Sequence, residues 1–372
     1  MGTRAIPRAA RDARTIARTA FAALLCAASA PGCRRAAGPP AEEPDWYAAV
    51  GADWPMGLPG EGPGPGFAHR GGAERRVDWP EQAGGVLWMR TNDQGFREDA
   101  PTAAAPTPGR PRWIALGDSH TDGVADNADT WPNRLEARLA EAGQPVEVIN
   151  AGVGYYGPDE LQRAGQALLR LRPARLIAAP YLGNDLLDAI VSASREGGPP
   201  IPAQPPRAER LAAMAERHPG AVHQALNQDL LLAENPELVA PACARLAGAL
   251  RGLWAAAAGQ GVELWVIPLP PLFDVAHPDA ILADAESILG LPRAAVGQHR
   301  ACAAGLEAAV RAGGPPGAVL RWIDVQPAIL AVGAPAYWAA DQHLSARGLD
   351  AVAEALAAAA LAEAGGAGAP GR

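Results

Sequence analysis

From residue 113 onward the chain alternates short apolar runs, at 113–116, 146–149, 176–182, 262–269 and 319–325, with stretches of helical spacing around 133–142, 160–171, 241–258 and 346–364. Runs that are apolar throughout suit strands buried on both faces, and helices between them supply the crossovers that parallel strands need. The expected fold is therefore α/β, a three-layer sandwich around a central parallel sheet of about five strands. One stretch breaks the rhythm. From about 195 to 237 a proline-rich segment, Pro199-Pro200-Ile201-Pro202-Ala203-Gln204-Pro205-Pro206, leads into helix-forming residues and is too long for an ordinary connection. It reads as a helical insertion in a domain spanning 111–364, either a lid over a site or a passive addition.

Upstream, residues 34–110 are dense in Pro and Gly, and the stretch 57–66 cannot hold a helix or a central strand. A tether and an irregular N-terminal extension are expected there, with a disordered tail at 365–372. The first 18 residues carry Arg4, Arg8, Arg11, Arg14 and Arg18 against the single acid Asp12, followed by an apolar run at 20–28 and small residues up to Cys33. This is the pattern of a signal peptide over 1–33, and its apolar run is far short of the ~20 residues that cross a bilayer. Ala30-Pro31-Gly32-Cys33 resembles the lipobox of bacterial lipoproteins, which implies lipidation at Cys33 and a protein of the cell envelope, periplasmic or anchored to its membrane. An Arg/Ala-rich leader on a cytoplasmic protein is the alternative. After export, Cys243 and Cys302 remain as an even pair, free to form a disulfide or to stay as two buried thiols, and no Cys-x-x-Cys spacing exists for zinc or redox work.

With 372 residues, 49% of them apolar, the chain can bury one substantial core with appendages. All 32 basic residues are arginine, which excludes a P-loop lysine, a Schiff base and a Ser-Lys dyad. A net charge of -8 argues against a nucleic-acid partner.

The first apolar run ends in Leu116-Gly117-Asp118-Ser119-His120-Thr121-Asp122-Gly123. A serine delivered by a glycine turn at the carboxyl end of a parallel strand, at the start of a helix, stands where open α/β sheets bind ligands. The same serine could equally cap a helix. Three further blocks follow: Asn150-Ala151-Gly152-Val153-Gly154-Tyr155-Tyr156-Gly157, Gly183-Asn184-Asp185, and Asp341-Gln342-His343 ahead of Gly348 and a final helix. Together these blocks resemble the SGNH (GDSL-type) hydrolases, over about 111–364. Thr91-Asn92-Asp93-Gln94-Gly95-Phe96-Arg97 also looks like the segment that precedes the first block in many bacterial members.

The resemblance implies a flavodoxin-like fold and an esterase or acylhydrolase without cofactor or metal. In it Ser119 attacks an ester carbonyl, His343 takes its proton, and Asp341 orients the imidazole. The implied oxyanion donors are the Ser119 N–H, a backbone N–H of the glycine turn after Asn150, and the Asn184 amide. The family usually has its oxyanion glycine five residues after the Asn, which here is Tyr155, so the donor is assigned to Gly154 one residue earlier. The usual Asp-x-x-His spacing is also absent, since position 340 is Ala, and the acid must be Asp341. His120, Tyr155 and Asp185 are candidates for shaping the pocket, His120 otherwise being a helix-face residue.

Competing motifs are weaker. Gly152-x-Gly154-x-x-Gly157 matches a dinucleotide fingerprint, but Pro158 follows and no acid stands ~20 residues on. Asp118, His120 and Asp122 lie two apart and share no helix face for a metal. No Gly-x-Ser-x-Gly elbow occurs. His69, His218, His223, His277 and His299 have no partner at useful spacing and read as surface or loop residues, while Trp131 and Trp265 read as core. The expected reaction is cleavage of a small-molecule or glycan ester through an acyl-serine. The alternatives are an O-acyltransferase acting on envelope polysaccharide and a non-catalytic binding protein on the same scaffold.

Overall fold

The computed structural model describes residues 68–198 and 205–367. Strands β1 (Glu74–Asp78) and β2 (Val86–Arg90) pair antiparallel, whereas β3 (Arg112–Gly117), β4 (Glu147–Asn150), β5 (Arg175–Ala179), β6 (Glu263–Val266) and β7 (Leu320–Trp322) form one parallel sheet in the order β4-β3-β5-β6-β7. Successive residues divide between two cores. Ile114, Leu116, Leu176, Ala178, Leu264 and Val266 face the helices Pro158–Leu168, Asp185–Arg195, Val239–Ala258 and Arg300–Arg311. Trp113, Ala115, Ile177, Ala179 and Trp265 face Trp131–Glu141, Gln326–Val332 and Ala346–Ala367. Both sheet faces are covered, so beyond their first residues strands β3 to β6 are mainly apolar on both faces and do not alternate. Trp131 and Trp265 are fully buried, one in a helix and one in β6.

Strands β5, β6 and β7 are shorter than the apolar runs that announce them. Pro180 follows β5, and Pro268 and Pro270 follow β6, so the ladder loses donors and continues only as a bridge between Tyr181 and Leu269. At the opposite end charges replace apolar residues. Arg112 is buried against Glu147 at 2.7 Å, and Arg175 lies over the rings of Trp113 and Trp265 at 4.3 and 3.8 Å.

One departure from the sequence reading concerns the N-terminal extension. The expected irregular extension includes the hairpin β1–β2, whose Val77, Leu87 and Met89 bury with Trp79 against Val124 and Trp338. Inward-facing positions two apart on short strands suffice to build this part of the segment into the domain. The insertion has a core of its own: Leu211, Met214, Leu226 and Leu230 pack against Phe273, Leu282, Leu289 and Val296 from the connection after β6. It runs as helix Pro205–Ala215, then from Pro219–Ala221 through a π turn at Val222–Leu226 into Asn227–Glu234. Among the described residues no helix is long and apolar enough to cross a membrane.

Of the two states left open for the cysteines, the structure has the disulfide Cys243–Cys302, which joins helix Val239–Ala258 to Arg300–Arg311. The double variant Cys243→Ala/Cys302→Ala is expected to lose about 2–4 kcal/mol in urea unfolding. Unfolding midpoints equal to those of the oxidised protein would mean that the crosslink does not constrain the unfolded chain.

Candidate active site

The nucleophile turn is assembled where β3 meets a one-turn helix, Ser119–Asp122. Gly117 is required there, because a Cβ would stand 2.8 Å from Ala179 O and collide with the Thr121 side chain. Asp118 caps the turn, its Oδ1 accepting the His120 N–H at 2.9 Å while its carbonyl accepts those of Thr121 and Asp122 at 3.0 and 2.9 Å. Ser119, at the first helical position, has no intrahelical acceptor for its own N–H. Burial pushes the Asp118 carboxyl up to about 6, opposed by the His120 N–H, the nearby His343 and the Asn184 side chain.

Ser119 Oγ stands 2.8 Å from His343 Nε2, and His343 Nδ1 stands 2.6 Å from Asp341 Oδ2. Asp341 Oδ1 also accepts the His343 backbone N–H at 3.0 Å, so one carboxylate grips both the ring and the main chain. A carboxylate facing Nδ1 fixes the proton there and leaves the Nε2 lone pair for the serine hydroxyl. The Asp-x-His spacing works because Gln342 takes the left-handed conformation, φ 62°, within a tight turn in which Gln342 N–H donates to Trp338 O and Trp338 N–H to His343 O, both at 2.9 Å. Ser119 and His343 are buried, and a hydrogen-bonded line in such surroundings is electrostatically stronger than one in water.

The other named residues divide. Asn184 sits at the N-cap position of helix Asp185–Arg195 but makes no capping bond, and its side chain lies against Asp118, one residue before the serine. Gly154 does not fit the oxyanion assignment. Its N–H donates to the Asp122 carboxylate, and the left-handed residue of the turn is Tyr155 at φ 65°, the position where the resemblance expects glycine. A positive φ on a non-glycine leaves no mark in a sequence. Tyr155 is 39% exposed and meets the His223 ring edge-on at 6.4 Å. His120 and Asp185 are both buried: His120 stacks on Tyr181 at 3.7 Å with its ring 4.9 Å from that of His343, and Asp185 opens the helix that follows Asn184. Burial holds the Asp185 carboxyl well above the usual range and His120 well below, so His120 is neutral.

A second buried cluster supports the turn from below. Asp122 accepts Arg97 Nη1 and His69 Nε2, each at 2.9 Å, besides the Gly154 N–H. Arg97 also donates to the carbonyls of Asp122, Gly123 and Ala125 and to Asn127 Oδ1, at 2.9–3.1 Å. Burial lowers Arg97 to about 9 and pushes the Asp122 carboxyl well above its usual range, each disfavouring the charged form, opposed at Asp122 by the Gly154 N–H. Burial and the adjacent Arg97 charge keep His69 well below its ordinary value, so it donates as a neutral ring. Asn150 joins in through Nδ2, donating to Thr121 O at 3.0 Å, while its backbone carbonyl accepts the Arg97 N–H at 3.0 Å. Gly152 serves close packing: a Cβ would stand 2.6 Å from Thr121 C, which accounts for this part of the dinucleotide-like glycines.

The expectation that the remaining histidines are surface residues fails for His69 and His299, both buried, the latter 2.6 Å from Asp274. His218 pairs with Asp284 at 2.9 Å. Their acids lie 25 to 66 residues away, outside any local spacing rule.

No protein-family model and no curated protein matches the chain. Among solved structures it is similar to a lipase from a goat rumen metagenome, at 15% identity over 67% of this chain and 97% of that one, TM-score 0.42. A GDSL-like lipase from Bacteroides thetaiotaomicron is 12% identical over 70% and 93%, TM-score 0.38. A carbohydrate esterase family 3 protein from Talaromyces cellulolyticus is 10% identical over 68% and 97%, TM-score 0.37. The functional reading rests on the geometry of the site itself.

Replacing Arg97 by Met leaves Asp122 buried without its cation, and a loss of about 3–5 kcal/mol is expected in urea unfolding. Adding Asp122→Asn should restore part of it. Losses that simply add would contradict the ion-pair assignment.

Proposed function

We propose that the chain hydrolyses carboxylic esters through an acyl-serine at Ser119, in the manner of the SGNH-type hydrolases its four blocks resemble. The observation that carries this reading is the unbroken line Ser119 Oγ, His343, Asp341, at 2.8 and 2.6 Å, standing at the carboxyl end of strand β3. His343 Nε2 removes the hydroxyl proton as Oγ bonds to the ester carbonyl carbon, and Asp341 stabilises the resulting imidazolium. The imidazolium then returns its proton to the departing alkoxide as the tetrahedral intermediate collapses to the acyl-serine. Water, deprotonated by the same Nε2, releases the acid and restores the serine. The Ser119 N–H and the Asn184 amide are the donors assigned to the oxyanion. The left-handed Gln342 brings Asp341 onto His343 despite the short spacing, which removes one motive for a non-catalytic reading.

Protein lacking residues 1–33 is expected to hydrolyse p-nitrophenyl acetate and to label with a fluorophosphonate at Ser119. Both signals should vanish in Ser119→Ala, and Asn184→Ala should lose about 10²- to 10³-fold in kcat. Equal behaviour of wild type and Ser119→Ala would overturn the reading.

We further propose that the enzyme is exported and held in the cell envelope by a lipid on Cys33, where it deacylates a carbohydrate or lipid ester. Residues 1–33 lie outside the described residues. Support comes from their charged-then-apolar pattern and from the Cys243–Cys302 disulfide, a bond typical of oxidising compartments. The full chain should partition into detergent and Cys33→Ala should not; equal partitioning would remove the anchor.

A further inference from the structure

The insertion reaches the catalytic residues through one face. Gly220, Gln224 and Gln228 recur every four residues along the segment that starts at Pro219 and passes through the π turn. Gly220 lies directly on the loop of the catalytic acid: a Cβ there would stand 2.5 Å from Ala340 O and 2.6 Å from Asp341 Cα. Gln224 is 2% exposed, and its Oε1 stands 3.0 Å from His120 Nε2. Its Nε2 stands 3.1 Å from His343 Nε2 and 3.4 Å from His343 Nδ1. An atom nearly equidistant from both ring nitrogens lies beside the ring between them. It is therefore off the outward line from Nε2 along which Ser119 Oγ sits, and the amide braces the imidazole without competing for the serine proton.

Gln228 acts on the opposite loop. Its Oε1 accepts the Leu186 and Leu187 N–H groups at 2.9 and 3.0 Å, and its Nε2 donates to Leu182 O at 2.8 Å. These two N–H groups are the orphan donors at the start of helix Asp185–Arg195, which the residue at the N-cap would ordinarily satisfy. Asn184 holds that position without capping, so Gln228 takes over the capping and leaves the Asn184 amide to the serine turn.

We infer that the insertion is part of the catalytic framework, with Gln224 the positioning residue of His343 and Gln228 that of Asn184. The inference rests on the esterase reading for its kinetic effects but not for its contacts. The groups that face His343 are Asp341 and Ser119, Asp118 from the nucleophile turn, His120, and His223 from the insertion, which burial lowers to about 4. A carboxylate at position 224 would add a negative charge beside the ring and favour the imidazolium.

The test uses the full chain, labelled with ¹⁵N-histidine, with the His343 signals assigned by His343→Gln. In Gln224→Glu the His343 titration and the acid limb of kcat/KM should both move up by about one pH unit. Gln224→Leu should lower kcat about 10- to 100-fold at unchanged KM, with a modestly lower thermal midpoint because the buried His120 Nε2 loses its partner. Gln228→Ala should lower kcat, with no further loss in an Asn184→Ala background. Folded Gln224 variants whose His343 titration matches wild type would overturn the role of Gln224, whether or not esters are cleaved. Equal Gln228→Ala losses in both backgrounds would overturn that of Gln228. Wild-type protein that neither hydrolyses nor labels would instead count against the esterase reading, while the titration still judges the contact with His343.

Discussion

The site depends on one buried carboxylate, Asp122. It closes the single turn that begins with Ser119, and it gathers a guanidinium from the segment before the domain, a neutral imidazole from further upstream, and a backbone N–H from the loop after β4. A charge buried this deeply is tolerable only when its partners are in place, and losing one leaves several kcal/mol uncompensated. The cluster therefore couples folding of residues 68–110 to placement of the nucleophile. It also explains why Gly154 is not a donor to substrate: its N–H already helps neutralise Asp122.

Above the turn, the reacting line draws on separate parts of the chain. The turn between Tyr337 and Leu344 supplies His343 and Asp341, and its backbone bonds hold Gln342 left-handed. The insertion packs on that turn at Gly220 and on the Asn184 loop at Gln228. Two loops that share no strand are thus referred to one rigid helical face, which itself rests on the connection after β6.

The sheet was legible because the central strands lie in apolar runs, and the triad because its members fall in blocks that resemble a known family; Ser119 stands at a strand end, while Asp341 and His343 stand in a turn before the final helix. Prolines shortened the strands relative to those runs, an effect visible in the sequence at Pro180 and Pro268 once the ladder is known. What escaped is non-local. Arg97 and His69 find Asp122 across 25 and 53 residues, and Gln224 finds His343 across 119. No periodicity connects such pairs. The left-handed Tyr155 and Gln342 escaped for another reason, since neither residue type advertises a positive φ.

The central claim is that Ser119 carries the acyl group. Wild-type protein mixed with p-nitrophenyl acetate, quenched in acid within the first turnovers and digested for mass spectrometry, tests it most directly. An acetyl group on the Ser119 peptide, absent from His343→Ala, is the predicted result; ester consumed with Ser119 unmodified, or acetyl on another residue in both proteins, would contradict it.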